Sequence, residues 1–422
     1  YKRQPYVFGD RVYVYGSHDY YNGYVFCMGD YVGWSAPVDD LGNWRYEGVI
    51  YEKTADPLNK DGKMCLYAPD ITMGPDGRYY LYYVLDKVSL VSVAVSDSPA
   101  GPFSFYGYVK DNEGVRLGDR PQDEPQFDPG VLTENGRTYL YTGACAAGDK
   151  SRSGAWVCVL GEDMLTMEEE PVCVVPGCEY SAGTSFAGHA FFEASSIRKA
   201  GDTYYFVYSS EVMHELCKPA DMPMAYGANN HGSIVQIKDQ WYIFYHRHTN
   251  GSWYSRQGCA EPISITEDGS IEQVEITSCG LNGGPLAGEG EYPAYLACHL
   301  FTDKPSVYVG GDAFPKVMQD GKDGDEEIGY VGNVQNSATI GFKYFDMKNV
   351  KKIRVTMRGY ISGNIEVRLT WDGDVLASLP IEFTNVWETY ESEIEIPDGI
   401  HSLYFTFRGD GNGALKSFEL LV

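Results

Sequence analysis

The chain has 422 residues, 43% of them hydrophobic, which is enough for two or three domains with sizeable cores and fits no disorder class. Its 33 basic residues against 59 acidic ones give a formal charge of −26. That balance repels polyanions and excludes nucleic acid and anionic membrane as partners, while a neutral ligand such as a sugar is compatible with it. No run approaches the roughly 20 apolar residues that span a bilayer, and ten scattered cysteines without a CxxC pair make neither a disulfide framework nor a zinc site. Reduced structural thiols in a cytoplasmic protein are expected. Because the first residue is Tyr1, a secreted protein whose signal peptide has been removed is the alternative.

From the N-terminus onward, five tyrosine-rich segments each read as strand, tight turn, strand. They are PYVFGDRVYVYG from Pro5, DITMGPDGRYYLYY from Asp70, DPGVLTENGRTYLY from Asp128, EASSIRKAGDTYYFVY from Glu193 and HGSIVQIKDQWYIFY from His231. The turn positions Gly9, Gly77, Gly136, Gly201 and Asp239 follow at intervals of 68, 59, 65 and 38 residues, with no helical period between them. This repeat predicts an all-β chain in which residues 1–292 form a five-bladed β-propeller, closed radially so that its strand edges are protected. The last interval is short by about two strands' length, so either the chain carries a deletion after Cys217 or a segment is omitted there.

Counting back seven or eight residues from each turn reaches Asp70, Asp128, Glu193 and His231. Equivalent strand starts in a propeller converge near its axis, so three carboxylates and an imidazole are expected to face one pocket. Glycoside hydrolysis requires such a set: a carboxylic acid to protonate the leaving oxygen and a carboxylate to activate water or attack carbon. Trp34, in YVGWSAPVDDLGNW, and Tyr67, before Ala68 and Pro69, are candidate apolar platforms for a sugar face, with core packing as the other reading of each. His18 and Asp19, in GSHD, stand where the first blade's strand should end near the pocket and are candidate substrate contacts.

The segments YAPDITMGPDGRYYLYY, FDPGVLTENGRTYLYTG, FFEASSIRKAGDTYYFVYSS and NNHGSIVQIKDQWYIFYHRH, in that order, resemble the blades of glycoside hydrolase family 43 over roughly residues 5 to 290. The resemblance implies inverting hydrolysis of hemicellulose side chains such as those of arabinoxylan, with α-L-arabinofuranose the first choice of released sugar and β-D-xylose the next. It implies Glu193 as the general acid and Asp128 as the carboxylate that tunes the acid and orients substrate. It places His231 near the axis, where relatives hold a calcium ion or its water shell, with a satisfied core histidine as the other reading. Arg247, in YHRH, and Arg256, in SRQG, resemble arginines that reach the sugar pocket.

One departure bears on mechanism. Family members carry the general base, an aspartate, at the start of the first blade, and counting back seven from Gly9 reaches Lys2; Tyr1, Lys2, Arg3 and Gln4 contain no carboxylate. Three readings follow. The N-terminal segment is incomplete or altered, another carboxylate such as Asp19 substitutes, or the chain is a non-catalytic carbohydrate-binding protein on the same scaffold.

From about Phe301 the tyrosine repeats give way to period-two strands, with Ile353, Val355 and Met357 alternating with Arg354, Thr356 and Arg358, then Ile365, Val367 and Leu369, then Leu403, Phe405 and Phe407. A β-sandwich (jelly-roll) domain over residues 293–422 is expected, joined to the propeller by the Gly-rich GLNGGPLAGEGEYP. The segments VGNVQNSATIGFKYFDM, NVWETYESEIEIPDGIHSLYFTFRG and GNGALKSFEL resemble carbohydrate-binding module family 6, which implies a sugar cleft near Tyr330, Trp387 and Asn412, although Ala414, Leu415 and Lys416 stand where relatives often have an aromatic. A structural buttress is the alternative role.

Overall fold

The computed structural model describes residues 4–144, 153–210, 231–303, 314–321 and 328–422. Lys2, Cys145 and Cys217 lie outside the described residues. The described residues divide into two compact units, one built from those up to 210 with 231–246 and 256–272, the other from 247–255 and those from 273 onward.

The first unit is all β and has a propeller arrangement. Among the described residues, five antiparallel sheets follow one another in sequence, with four, four, four, two and three strands, and each begins with one of the tyrosine-rich hairpins. The turns explain themselves locally. Asn135 and Gly136 close a two-residue loop with φ of 51° and 77°, the pair of left-handed conformations that twist-matched hairpins need. In the last hairpin Lys238, at φ 55°, takes the corresponding position just before Asp239.

Hydrogen bonds join the inner edges of successive sheets. Asp70 is fully buried; its Oδ1 accepts from Tyr6 Oη at 2.7 Å and its Oδ2 from the Val131 amide at 2.8 Å, so one carboxylate ties the second sheet to the first and third. Asp128 Oδ2 accepts from the Ala194 amide at 3.2 Å, and Ser196 Oγ lies 2.9 Å from Ser233 Oγ and 3.1 Å from Gln4 Oε1. The tyrosines fill the wedges between sheets: in the strand Tyr79–Tyr83, Tyr80 and Tyr82 pack toward the third sheet while Leu81 and Tyr83 pack toward the first. A tyrosine suits such a wedge because its ring supplies apolar area and its hydroxyl finds a partner at the far end. Tyr82 donates to the Met164 carbonyl at 2.8 Å.

Buried Asp56 gathers two of these hydroxyls and a serine's, accepting from Tyr83 at 2.7 Å, Tyr108 at 2.9 Å and Ser92 at 2.8 Å, and also from the Leu58 amide at 2.9 Å. Asp56→Ala is expected to destabilise the first unit by about 3 kcal/mol, since each buried polar group left unsatisfied costs ~1–3 kcal/mol. Urea unfolding followed by fluorescence measures this, and an unchanged midpoint would show that the hydroxyls find other partners.

In the second unit the strands link into one hydrogen-bonded network of ten. Its backbone is the pair Lys352–Arg368 and Gly399–Leu421, antiparallel from Lys352 opposite Leu421 to Arg368 opposite Tyr404. The predicted alternation is present: Ile353, Val355, Met357, Ile365, Val367, Leu403, Phe405 and Phe407 are all buried in one apolar core. The Gly-rich stretch is paired with strands of this unit. Leu286–Ala287 runs parallel to Phe345–Asp346, and Gly290–Pro293 pairs with Ser417–Leu420. Between them Gly288 approaches the Asp346 carbonyl so closely that a Cβ would lie 2.4 Å from its oxygen, which only glycine permits.

Cys27, Cys65, Cys158, Cys173, Cys279 and Cys298 are free thiols among the described residues. No helix among those residues is long and apolar enough to cross a membrane.

Candidate active site

Three of the four residues picked out by register converge. Single ligand atoms of Asp128, Glu193 and His231 lie within 4.8 Å of one another, and His231 Nε2 is 2.6 Å from Asp128 Oδ2. Asp128 and His231 are buried, whereas Glu193 is partly exposed. Asp70, the fourth, is fully buried and makes the inter-sheet bonds described above.

Local backbone features aim these side chains. Phe127, just before Asp128, is held on both sides: its amide takes Thr142 Oγ1 at 3.0 Å, and its carbonyl accepts from Thr142 Oγ1 at 3.0 Å and from the Gly143 amide at 3.1 Å. Asp128 itself sits at φ 42°, an uncommon left-handed conformation for a non-glycine residue, which directs its carboxylate toward His231 and the next sheet. Glu193 lies within a doubly irregular stretch of the strand Phe191–Ala200, with register shifts on either side of it and Ala194 at φ 72°. A bulge of this kind re-aims one side chain out of the regular alternation.

Tyr67 lies beside the group. Its ring meets Phe127 edge-on at 5.4 Å, and its carbonyl accepts from the hydroxyl of fully buried Tyr31. Burial pushes both phenols up, Tyr31 well above the usual range, and the charge of Asp128 adds to that shift in each. Tyr31 and Phe127 were not singled out in the sequence. Phe127 could have been noticed as the residue preceding Asp128, but Tyr31 carries no local mark of its place.

The other candidates are placed elsewhere or tied up. Asp19 and Arg256 form a buried bidentate pair, Nε to Oδ2 at 2.6 Å and Nη2 to Oδ1 at 2.7 Å, and the Cys27 amide adds a bond to Oδ1 at 2.9 Å. Burial alone would raise the Asp19 carboxyl, but the hydrogen bonds and charge of Arg256 outweigh it and hold the group below its ordinary value. Arg256 also stacks on Phe26, 5.0 Å from the ring centre. Arg247, expected at the sugar pocket, belongs to the hairpin tip 247–255 of the second unit, and its guanidinium donates to the carbonyls of Tyr295 and Ala297. Trp34 lies on the third strand of the first sheet, two strands out from the innermost one, and packs against Tyr46 across the strands at 4.9 Å.

Chemically, the group offers a partly exposed carboxyl able to deliver a proton, a buried carboxylate beside it, and an imidazole that fixes the buried one. Two carboxylates and a nitrogen this close can also hold a cation.

Residues 7–229 match glycosyl hydrolases family 43. A xylosidase/arabinosidase of Thermoclostridium stercorarium is 61% identical over 451 aligned positions, covering 99% of this chain and 95% of that protein. That alignment is longer than the 422-residue chain, so the relative carries residues that this chain lacks. A xylosidase/arabinosidase of Bacteroides ovatus is 29% identical, over 57% of this chain and 83% of its own length. Among solved structures, the RS223 β-xylosidase superposes with a TM-score of 0.52 at 25% identity over 65% of this chain and 94% of that one. An arabinoxylan arabinofuranohydrolase from Bacillus subtilis, solved with cellotetraose, shares the fold with a TM-score of 0.50 at 21% identity over 99% of this chain and 95% of its own. With the family match spanning more than half the chain, and identity to the Thermoclostridium protein sustained along nearly all of it, this chain belongs to glycosyl hydrolases family 43 and is a glycoside hydrolase.

Proposed function

We propose that the chain releases terminal α-L-arabinofuranose, β-D-xylose or both from hemicellulose such as arabinoxylan, acting from the chain end with inversion. The observation that carries this reading is partly exposed Glu193 within 4.8 Å of a buried Asp128 that His231 fixes in place. Glu193 is the general acid that protonates the leaving oxygen. Asp128 is not the water-activating base: an inverting pair stands ~6.5–9.5 Å apart to admit a water between its members, and this one is closer. Its negative charge instead favours the protonated form of Glu193. The names of the two xylosidase/arabinosidase relatives support the choice of sugars.

The base therefore lies outside this group. Asp19 does not supply it, because Arg256 and the Cys27 amide occupy both of its oxygens, and the position reached by counting, residue 2, is outside the described residues.

An ion held by the group is proposed to be calcium, a reading supported by one related β-xylosidase/α-arabinofuranosidase described as a calcium-free form. The fit to calcium is partial: Asp128 offers a hard oxygen and His231 a nitrogen, Glu193 is kept for the proton it delivers, and the rest of calcium's ~6–8 oxygen ligands would be water. The second unit is proposed as a carbohydrate-binding β-sandwich.

The test is release of p-nitrophenol from the α-L-arabinofuranoside, β-D-xyloside and β-D-galactoside, with product anomers followed by NMR. Turnover of the first two with an inverted product is expected. Turnover of the galactoside alone, or a retained anomer, overturns the assignment.

A further inference from the structure

The second unit contains two aromatic features on which a sugar ring could rest, and they differ in whether a ring face is available. At Tyr330 and Trp387, the pair that the family 6 resemblance points to, the Arg358 guanidinium lies 4.1 Å from the Trp387 ring centre and 5.1 Å from that of Tyr330. A 2.7 Å bond from Arg358 Nη2 to Asp320 Oδ1 fixes it there, and Tyr330 is only 9% exposed. One face of the Trp387 ring is already covered by a cation, and Tyr330 offers little surface of its own.

Trp371 is different. It is 50% exposed and stands on the turn that follows the long strand Lys352–Arg368, braced edge-on by Phe301 with ring centres 6.3 Å apart. Arg368 Nε holds that turn by donating to the Gly373 carbonyl at 3.0 Å. Beside the indole is a cavity of about 380 Å³, within the range of ~300–1,000 Å³ typical of small-ligand sites.

The lining of this cavity selects a ligand class. Its floor carries the Thr339 and Thr406 hydroxyls, cross-strand partners 3.0 Å apart, and its wall carries the Asp303 carboxylate. Its two arginines, Arg368 and Arg408, share Glu366, at 2.6 and 3.3 Å, and with the lining carboxylates of Asp303 and Asp372 the acids outnumber them by one, so an anionic ligand gains little. Hydroxyls and a carboxylate to meet ligand hydroxyls, beside one open aromatic face for an apolar C–H face, match an uncharged pyranose or furanose ring.

We infer that the second unit binds a neutral saccharide in the pocket beside Trp371 and not at the Tyr330–Trp387 pair. This rests on the reading of the chain as a hemicellulose hydrolase, which supplies the polymer.

The test is depletion of the full chain from solution by insoluble arabinoxylan. Trp371→Ala is expected to weaken binding about tenfold, equivalent to about 1.4 kcal/mol, and Trp387→Ala to leave it within about twofold. Equal binding by Trp371→Ala and the unsubstituted chain overturns the inference, as does a tenfold loss confined to Trp387→Ala. Should Trp371→Ala fail to fold, Trp371→Phe, which keeps a smaller ring at an exposed turn, is expected to bind about threefold more weakly, and unchanged binding overturns the inference. Release of p-nitrophenol by the unsubstituted chain is measured on the same preparation. Turnover without arabinoxylan binding overturns the pocket and leaves the hydrolase reading standing; binding lost in Trp371→Ala without turnover upholds the pocket and overturns the hydrolase reading.

Discussion

Glu193→Gln is expected to lower turnover of arabinoxylan oligosaccharides by about 10²–10⁴-fold, the usual contribution of a positioned general acid, while leaving the unfolding midpoint unchanged. Glutamine preserves the shape of the side chain and removes the proton it delivers. Glu193 is partly exposed, so the amide does not leave an uncompensated buried charge behind. The loss should depend on the leaving group. An oligosaccharide alkoxide leaves poorly without protonation, whereas p-nitrophenolate is stable in water, so p-nitrophenyl glycosides should lose less than natural substrates. Equal rates for the two chains on oligosaccharides would place the acid elsewhere.

Arg256→Met is expected to destabilise the first unit by about 3–5 kcal/mol, because removing one partner of a buried ion pair strands the other. Asp19 and Arg256 are 4% and 6% exposed, and the stranded carboxylate would keep only the Cys27 amide among the bonds described for it. The double variant Asp19→Asn with Arg256→Met should recover part of the loss, since it leaves no charge unpaired. Acid sensitivity follows the same pair. The Asp19 carboxyl in the folded chain is held below its ordinary value, so its contribution is complete above an unfolded-state value of about 3.9 and is lost as pH falls further, through the folded-state value. Urea midpoints between pH 7 and pH 3 should therefore fall less steeply for Asp19→Asn than for the unsubstituted chain. Parallel curves would show that Arg256 has no such hold on Asp19.

Much of this protein could be read directly from the order of its residues. Alternating tyrosine strands punctuated by glycine turns at near-regular intervals are local patterns, and turn chemistry such as Asn135–Gly136 acts over two residues, so the all-β class, the hairpins and the register that selects Asp128, Glu193 and His231 were all legible. The same holds for the apolar face of Ile353, Val355 and Met357, because a period of two needs no partner to be recognised.

What the register could not distinguish was the direction of each side chain. Asp70 stands seven residues before its turn glycine and Asp128 eight; Asp70 turns into the sheet contacts and Asp128 toward His231, each held by donors brought from other sheets. The bulge that re-aims Glu193 is set by the pairing of its strand and is invisible in a single segment. Arg247 and Arg256, nine residues apart, diverge because each finds its acceptors, the Tyr295 and Ala297 carbonyls or the Asp19 carboxylate, at sequence separations of about 50 and more than 200 residues. Sequence alone determined strand, turn and repeat, which are short-range preferences of the backbone. Tertiary structure decided which charges are paired, which aromatic faces are covered and which carboxyl is left to do chemistry, because those outcomes depend on which distant groups come within hydrogen-bond reach.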